Sequence, residues 1–333
     1  MTAQPTVADI GELTLLRQLQ PFCSQALLGD DAAVLSPRAD ATVVTTDVLV
    51  DGVHFSDRTT APEDVGWRAI AANLSDLAAM GAMPIGVTVG LSLPGSVPVA
   101  WVKRVYQGMG DCLQQYGGEI IGGDIVQSAQ IMLAITAIGR VAPQRVLRRD
   151  RAQPGHVIVA TGWHGASRAG LELLLQPDAA APLSEGDRRY FIQAHQRPIP
   201  RLDVVQRLAA WPDDDFSTIA AMDSSDGLAN AVLYLCQASG VGARLQRDRL
   251  PIPPALQAWV GPKLALDWCL YGGEDFELVL CLPPERAVAL LADCGKNVAI
   301  VGTVVAGREV LLVDRPDDPS GLPLTWDSCF QHF

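Results

Sequence analysis

Acidic residues next to hydroxyl groups recur along this chain and suggest a binding site for hard cations. The first cluster lies in residues 29–55 and contains Asp31, Thr45, Thr46 and Asp47. An apolar, β-branched run leads into the last three, so we expect a buried strand that ends there and presents oxygen ligands. Carboxylate and hydroxyl oxygens are ligands that suit Mg²⁺. One cluster alone would equally fit a hairpin whose acids face water, but acids in similar settings recur four more times.

Asp76 lies on a helix that we predict over residues 63–81. The surrounding sequence, AIAANLSDLAAMG, is small or apolar almost all round, which is typical of a buried helix. Asn73 is three residues away and shares a helical face with Asp76. A buried carboxylate needs a partner, and no Lys or Arg stands within a helical turn of Asp76. This favours a metal ligand over an ion pair or a helix cap.

Three further motifs join glycines or serines to acids. Gly122-Gly123-Asp124 follows a short predicted strand and would, by itself, more often be an ordinary turn. The segment 223–227, DSSDG, carries two carboxylates and two hydroxyls between a strand and a helix start, which also offers backbone N–H groups to phosphate. Residues 272–275, GGED, repeat the arrangement of glycines followed by acids.

Three other side chains have both a structural and a functional interpretation. Arg149 lies in a basic connector, where it is either solvated or reaches a phosphate group. His54 follows the first acidic cluster and is either a hydrogen-bonded surface histidine or a ligand-binding one. Trp326 stands in a polar stretch near the C-terminus and either covers the core or stacks on a flat ligand.

Composition narrows the class of protein. The chain has 333 residues, 49% of them hydrophobic, so we expect two domains. We place the boundary in the basic segment 142–156, which gives predicted domains of residues 1–142 and 143–333. The net charge of −12 argues against nucleic acid and anionic membranes as partners. No GxxxxGK[ST] motif occurs, so phosphate groups would need metal ions and arginines. The seven cysteines are scattered and form no CxxC motif, and we find neither a signal peptide nor an apolar run long enough to span a membrane. These features favour a cytoplasmic protein.

The pattern of apolar residues predicts a mixed α/β fold (α/β or α+β) in both halves. In the first half we predict helices at 10–19, 63–81 and 98–116, and strands near 32–35, 42–46, 85–93, 119–121 and 131–141. In the second half we predict strands at 157–161, 218–222, 276–282, 298–304 and 309–313. We predict a helix after Ser167, two further helices punctuated by residues 197–201, and a helix that ends at Ser239.

Taken together, the motifs resemble the thiamine-monophosphate kinase family over nearly the whole chain. The resemblance rests on GDDAAVL, TTDVLVDGVHF, NLSDLAAMGAMP, IGGDIV, DSSDGL and GGEDFEL, in the order and spacing of that family. It implies phosphorylation of thiamine monophosphate by ATP, an N-terminal domain that dimerises through its sheet, and a larger C-terminal α/β domain. Ile125-Val126 and Ser224 depart from the residues that are common in the family.

The resemblance also implies which residues form the site. A group of Mg²⁺ ions would be held by Asp31, Thr45, Thr46, Asp47, Asp76, Asp124, Asp223 and Asp226. ATP would contact Gly123, Asp124, Arg149 and Ser225. Thiamine monophosphate would contact His54, Glu274 and Trp326. Whether Asp30 or Asp51 also binds metal is left open.

The chemistry agrees with this resemblance, because a phosphate acceptor is already ionised and needs metal ions more than a general base. Two alternatives remain. A selenophosphate synthetase-like enzyme would need a reactive Cys or Lys in a glycine-rich N-terminal segment, and Cys23 lacks that setting. A non-catalytic sensor would bind Mg-ATP without turnover.

Overall fold

The computed structural model describes residues 5–10, 12–23, 39–180, 183–295, 298–315, 318 and 320–330. The chain divides into two compact units. The first unit comprises Met1–Leu77 and Met83–Val141, and the second comprises Ala78–Ala82 and Ala142–Phe333. The functions that we assign to the predicted domains 1–142 and 143–333 stay predictions.

The first unit is built on a four-stranded sheet with strand order β1-β4-β2-β3. Strands β2 and β3 are parallel, and the other neighbours are antiparallel. The strands are β1 (Ala41–Val50), β2 (Met83–Leu93), β3 (Ile120–Gln127) and β4 (Met132–Val141). The helices are α1 (Val7–Ile10), α2 (Glu12–Leu19), α3 (Pro62–Ala79) and α4 (Val99–Tyr116).

Strict alternation along β4 gives this sheet one buried and one half-exposed face. Leu133, Ile135 and Ala137 are fully buried, whereas the residues between them are partly exposed. Helices α3 and α4 approach each other closely because glycines face the partner backbone. A Cβ on Gly66 would lie 1.9 Å from the carbonyl oxygen of Val105. The small residues of α3 thus allow close helix packing as well as burial.

The second unit is built on a seven-stranded sheet with strand order β11-β10-β7-β9-β5-β8-β6. Only β7 and β10 are parallel neighbours. The strands are β5 (Val157–Thr161), β6 (Ala220–Asp223), β7 (Gly242–Gln246), β8 (Leu278–Leu282), β9 (Val298–Val305), β10 (Val310–Val313) and β11 (Leu322–Pro323). The helices are α5 (Ala166–Leu175), α6 (Glu185–Gln196), α7 (Leu202–Leu208), α8 (Leu228–Ser239), α9 (Pro254–Val260), α10 (Pro262–Tyr271) and α11 (Pro284–Cys294).

The predicted mixed α/β fold is confirmed, and three predicted strand boundaries are wrong. Asp47 does not end its strand, because the alternation continues and β1 pairs with β4 as far as Val50. The strand predicted near 119–121 continues through residues 122–124 to Gln127, since Gly123 has no Cβ and can pass the backbone of β2. The strand predicted at 85–93 begins two residues earlier, at Met83.

Other elements lay beyond the sequence reasoning. Strand β7 and helices α9, α10 and α11 were not predicted. The strand predicted near 32–35 and the metal ligand predicted at Asp31 lie outside the described residues. Across the described part of the chain, no helix combines the length and apolar character that crossing a membrane requires.

Candidate active site

In the first unit, β1 and α3 bring three predicted metal ligands to one face of the sheet. Thr45 and Asp47 alternate onto the same side of β1, and both are half-buried. The hydroxyl of Thr45 donates to Oδ2 of Asp76, which lies in the last turn of α3, at 2.5 Å. The backbone N–H of Asp47 donates to Oδ1 of Asn73 at 3.1 Å. The face shared by Asn73 and Asp76 therefore attaches α3 to the middle of β1.

Two other predicted ligands of the first unit lie on the opposite face of the sheet. Thr46 is exposed, and its hydroxyl oxygen lies 2.7 Å from that of Thr136 on β4. Asp124 is also exposed, on the far edge strand β3. Three strand spacings separate β1 from β3, which is about 14 Å. Within one first unit, Thr46 and Asp124 therefore cannot bind the same ion.

His54 lies in the turn that follows β1. Its ring atom Nδ1 accepts a hydrogen bond from the backbone N–H of Val50 at 3.0 Å. The backbone N–H of His54 donates to the backbone carbonyl of Val50 at 2.9 Å. Because Nδ1 is an acceptor, the neutral ring carries its proton on Nε2. The turn thus fixes the ring and makes Nε2 a hydrogen-bond donor.

In the second unit, the DSSDG and GGED motifs lie in adjoining loops. Asp223 ends β6 and is only 2% exposed, and its Oδ1 accepts from the hydroxyl of Ser225 at 3.3 Å. The backbone N–H of Glu274 donates to the carbonyl of Ser225 at 2.6 Å. Gly273 adopts a φ of 67°, and a Cβ there would lie 2.9 Å from that same carbonyl oxygen. The structure thus joins two motifs that are about fifty residues apart in sequence.

The GGED loop contains a strained backbone. Glu274 and Phe276 have φ angles of 58° and 52°, in the left-handed region that residues other than glycine rarely adopt. Such conformations are concentrated at functional sites, where the surroundings hold them in place. The side chain of Glu274 is 33% exposed, and its Oε2 lies 3.8 Å from Nδ1 of the buried His195. Glu274 is therefore the acid of this loop that remains accessible to a ligand.

The next acid, Asp275, holds the loop against a helix. Its two carboxylate oxygens accept from the backbone N–H groups of Gly165 and Ser167, at 2.7 Å and 2.8 Å, at the start of α5. Burial raises the pKa of Asp275 to about 7, and the nearby Glu277 and Glu274 add to the rise. Asp275 thus acts as a cap for the helix N-terminus.

Glu277, whose side chain is 13% exposed, belongs to an ion pair. It accepts from the Thr161 hydroxyl at 2.5 Å and from the Arg201 guanidinium at 2.6 Å. Arg201 also makes a two-pronged contact with Asp203, at 2.9 Å and 3.0 Å. Burial raises the pKa of Glu277, while the Arg201 charge opposes that rise. Sequence reasoning missed this pair, because nothing in the local pattern around Arg201 indicates a partner 76 residues away.

Helix α8, which starts after the DSSDG motif, brings Arg149 and Trp326 to one tyrosine. The guanidinium carbon of Arg149 lies 5.5 Å from the centroid of the Tyr234 ring. The Trp326 ring lies 4.6 Å from the same ring, tilted by 63°. Tyr234 carries no motif signal in the sequence. Its position seven residues after Gly227 predicts that it lies on the helix. Nothing in the sequence indicates its contacts with Arg149 and Trp326.

The predicted metal ligands remain a prediction. Among the described residues, no three His, Cys, Asp or Glu side chains are grouped so that they could hold a metal ion. The chemistry of the Thr45 and Asp76 oxygens nevertheless fits Mg²⁺, which prefers a few carboxylates plus water and phosphate oxygens to a complete protein cage. Asp226 follows Asp223 by three residues at the start of α8, and its role as a ligand is likewise a prediction.

Comparison with known families accounts for most of the chain. Residues 29–141 match the model of the AIR synthase related protein, N-terminal domain. Residues 153–314 match that of the AIR synthase related protein, C-terminal domain. The two matches cover both acidic halves of the sequence.

Individual relatives are similar over nearly their full length. The thiamine-monophosphate kinase of Synechococcus elongatus is 48% identical over 330 residues, covering 98% of this chain and 98% of the relative. The crystal structure of thiamine-monophosphate kinase from Stenotrophomonas maltophilia K279a superposes with a TM-score of 0.78 at 34% identity, covering 90% of this chain and 96% of that one. The structure of AaThiL complexed with AMPPCP and TMP superposes with a TM-score of 0.73 at 32% identity, covering 94% and 97%.

Proposed function

Because this chain belongs to the thiamine-monophosphate kinase family, we propose that it transfers the γ-phosphoryl group of ATP to thiamine monophosphate. The products are thiamine diphosphate and ADP. The observation that carries this proposal is the similarity over nearly the whole chain to kinases of that name, one of which was solved with AMPPCP and TMP. ATP is then the co-substrate and the chain is a phosphotransferase.

The reaction sets a particular electrostatic problem. The acceptor is a phosphate whose second pKa is about 6, so it is already a nucleophile near neutral pH. The difficulty is the repulsion between two anions that must come within bonding distance. We assign a group of Mg²⁺ ions to this site, and when bound they would neutralise the phosphate charges. The carboxylates of Asp47, Asp76 and Asp223 are the described residues best supported as their ligands, because each is fixed by its strand or helix.

The other predicted site residues have roles that follow from their contacts. His54 would donate from Nε2 to the phosphate of thiamine monophosphate, since its Nδ1 is occupied by the backbone. Glu274 would face the positive charge or the amino group of the thiamine moiety, because it is the exposed acid in its loop. Trp326 would stack on a flat ring of the substrate. Arg149, Gly123 and Ser225 would contact ATP.

The decisive experiment measures ADP and thiamine diphosphate formation with and without thiamine monophosphate, over a Mg²⁺ titration. We expect ADP release that depends on both thiamine monophosphate and Mg²⁺. Asp47→Asn should retain the fold and lose most activity, because a neutral amide is a poorer ligand for Mg²⁺. Binding of Mg-ATP without formation of ADP or thiamine diphosphate would instead indicate a nucleotide sensor. Turnover of Asp47→Asn within a few-fold of wild type would remove that residue from the metal site.

We also propose that the chain forms a homodimer through the half-exposed face of the first sheet. Three valines on this face, Val44, Val48 and Val126, are 61%, 40% and 49% exposed. Hydroxyl groups lie between them, and such a mixed apolar surface suits a second copy of itself. Val44→Lys should shift the sedimentation coefficient to that of a monomer. Val288→Lys changes an equally exposed valine (64%) on α11 and should leave it unchanged. Loss of association in both variants, or in neither, would contradict this interface.

The cytoplasm is the compartment that we propose for this reaction. All seven cysteines lie within the described residues, and none forms a disulfide. Burial raises the pKa of the thiols of Cys236 and Cys329, which keeps them protonated and poorly reactive. Thiols that form no disulfide and the use of ATP both fit an intracellular enzyme.

A further inference from the structure

Tyr234 occupies an unusual position on the second unit. It lies on α8, is 38% exposed and contacts two other side chains. The Arg149 guanidinium carbon lies 5.5 Å from its ring centroid. The Trp326 ring approaches within 4.6 Å at an angle of 63°. An exposed tyrosine adds little to a core, so this pair of contacts calls for another explanation.

The segments that carry Arg149 and Trp326 are far apart in sequence, and both contact α8. Arg149 begins a short helical turn that is tied to the end of α8. The hydroxyl of Ser239 donates to the carbonyl of Arg149 at 2.9 Å and accepts from the N–H of Ala152 at 3.0 Å. Trp326 begins another short turn, 326–328, at the opposite end of the unit's sequence. Helix α8 is the element that both segments contact through Tyr234.

Both contacts involve the same ring. A guanidinium is attracted to the negative face of an aromatic ring, and a tilted aromatic partner prefers an edge-to-face arrangement. A ring that is engaged in both ways restricts the positions of both partners. If the Arg149 side chain is shifted by a ligand, the Tyr234 ring and then Trp326 must respond.

We propose that Tyr234 is a positioning residue that couples the ATP-binding arginine to the tryptophan that receives the thiamine moiety. This inference rests on the proposed function, because that function gives Arg149 and Trp326 their ligands. Tyr234 contacts neither ligand in this scheme. It holds the two side chains so that binding of one substrate favours binding of the other.

The test measures both KM values, and the Kd of AMPPCP with and without thiamine monophosphate and the reverse, for wild type and three variants. AMPPCP replaces ATP so that no turnover occurs during the Kd measurements. Tyr234→Phe keeps the ring and should keep the wild-type coupling between the two substrates. Tyr234→Leu and Tyr234→Gln remove the ring, and each should reduce the coupling and raise both KM values by about three- to tenfold, the size expected for such ring contacts. The maximal rate at saturation should change much less.

A matched control comes from the first unit. Tyr116, near the end of α4, makes a similar tilted contact with Trp67, with centroids 5.9 Å apart at 75°. Tyr116→Leu should change thermal stability at most and leave both KM values and the coupling unchanged. Leu and Gln variants of Tyr234 that unfold at a lower temperature but retain wild-type KM values would overturn the positioning role. A wild-type protein that makes no thiamine diphosphate would instead overturn the proposed function.

Discussion

The predicted ligands of the first unit and those of the second are held in different ways. In the first unit, Thr45, Asp47 and Asp76 lie on a regular strand and helix and stay half-buried. In the second unit, Asp223 ends β6. Asp275 and Glu277 lie beside the left-handed residues Glu274 and Phe276, and they accept hydrogen bonds from the start of α5 and from Arg201. A carboxylate that already satisfies a helix end or an arginine has little capacity left for a metal ion. In the GGED loop, the existing hydrogen bonds therefore separate Glu274, which is accessible to a ligand, from Asp275 and Glu277, which hold the loop.

The largest effect that would test this contrast is on stability, at Glu277. Glu277→Gln leaves the buried Arg201 with only Asp203 as a charged partner. We expect the free energy of unfolding to fall by roughly 3 kcal/mol, the low end for breaking a buried pair, because that second partner remains. Chemical denaturation measures the change. The exposed pair of Arg247 and Asp314, 2.9 Å apart, provides the control. Asp314→Asn should cost less than about 1 kcal/mol, and a similar cost for both would remove the structural role of Glu277.

The corresponding experiment in the first unit should affect activity and not stability. Asp76→Asn keeps the size of a side chain in the last turn of α3 and removes its charge. We expect kcat to fall by roughly 10²- to 10³-fold, as for the loss of one charge-stabilising group, with no loss of thermal stability. Asp64→Asn, in the first turn of the same helix, is the control and should turn over as wild type does. A lower melting temperature for Asp76→Asn with normal kcat would reverse the contrast between the two units.

The sequence supports prediction of the elements more than of their contacts. Apolar periodicity located α3, α4 and β4, and the acidic motifs were identified by residue type and spacing. Apolar periodicity did not locate the end of β1. The strand continues past Asp47, because its pairing with β4 extends to Val50. Nor could the sequence distinguish Glu274 from Asp275, since adjacent acids look alike until burial separates them. Long-range partners such as Arg201 for Glu277 leave no local pattern.

The pH dependence of stability offers a smaller test, at Asp275. Its folded pKa is about 7, while an unfolded aspartate titrates near 4. Between these values the folded state holds a proton that the unfolded state has released, so the free energy of unfolding should fall as pH rises from about 4 to about 7. In Asp275→Asn this contribution is absent. The difference in stability between wild type and variant should therefore shrink with rising pH, whereas parallel profiles would mean that the folded pKa is not raised.

The smallest expected effect concerns a buried pair beneath the DSSDG loop. The His164 ring nitrogen Nε2 lies 3.1 Å from the hydroxyl of Ser224, which itself donates to the carbonyl of Glu277 at 3.2 Å. The Ser224 hydroxyl therefore accepts from Nε2–H. Burial, with the Arg201 charge adding to it, lowers the pKa of His164 to about 3, so the ring is neutral near pH 7.

This arrangement predicts unequal costs for the two halves of the pair. Ser224→Ala leaves a buried N–H without an acceptor, which should cost roughly 1–3 kcal/mol. His164→Leu should cost less, because the Ser224 hydroxyl keeps its bond to the carbonyl of Glu277. The double variant removes donor and acceptor together, so it should be more stable than Ser224→Ala alone, with a coupling of about 1 kcal/mol. Denaturant titration of the four proteins at pH 7 measures this cycle. Additive costs would show that the two side chains are merely adjacent, and that the loop in the second unit relies on Asp275 and Glu277 alone.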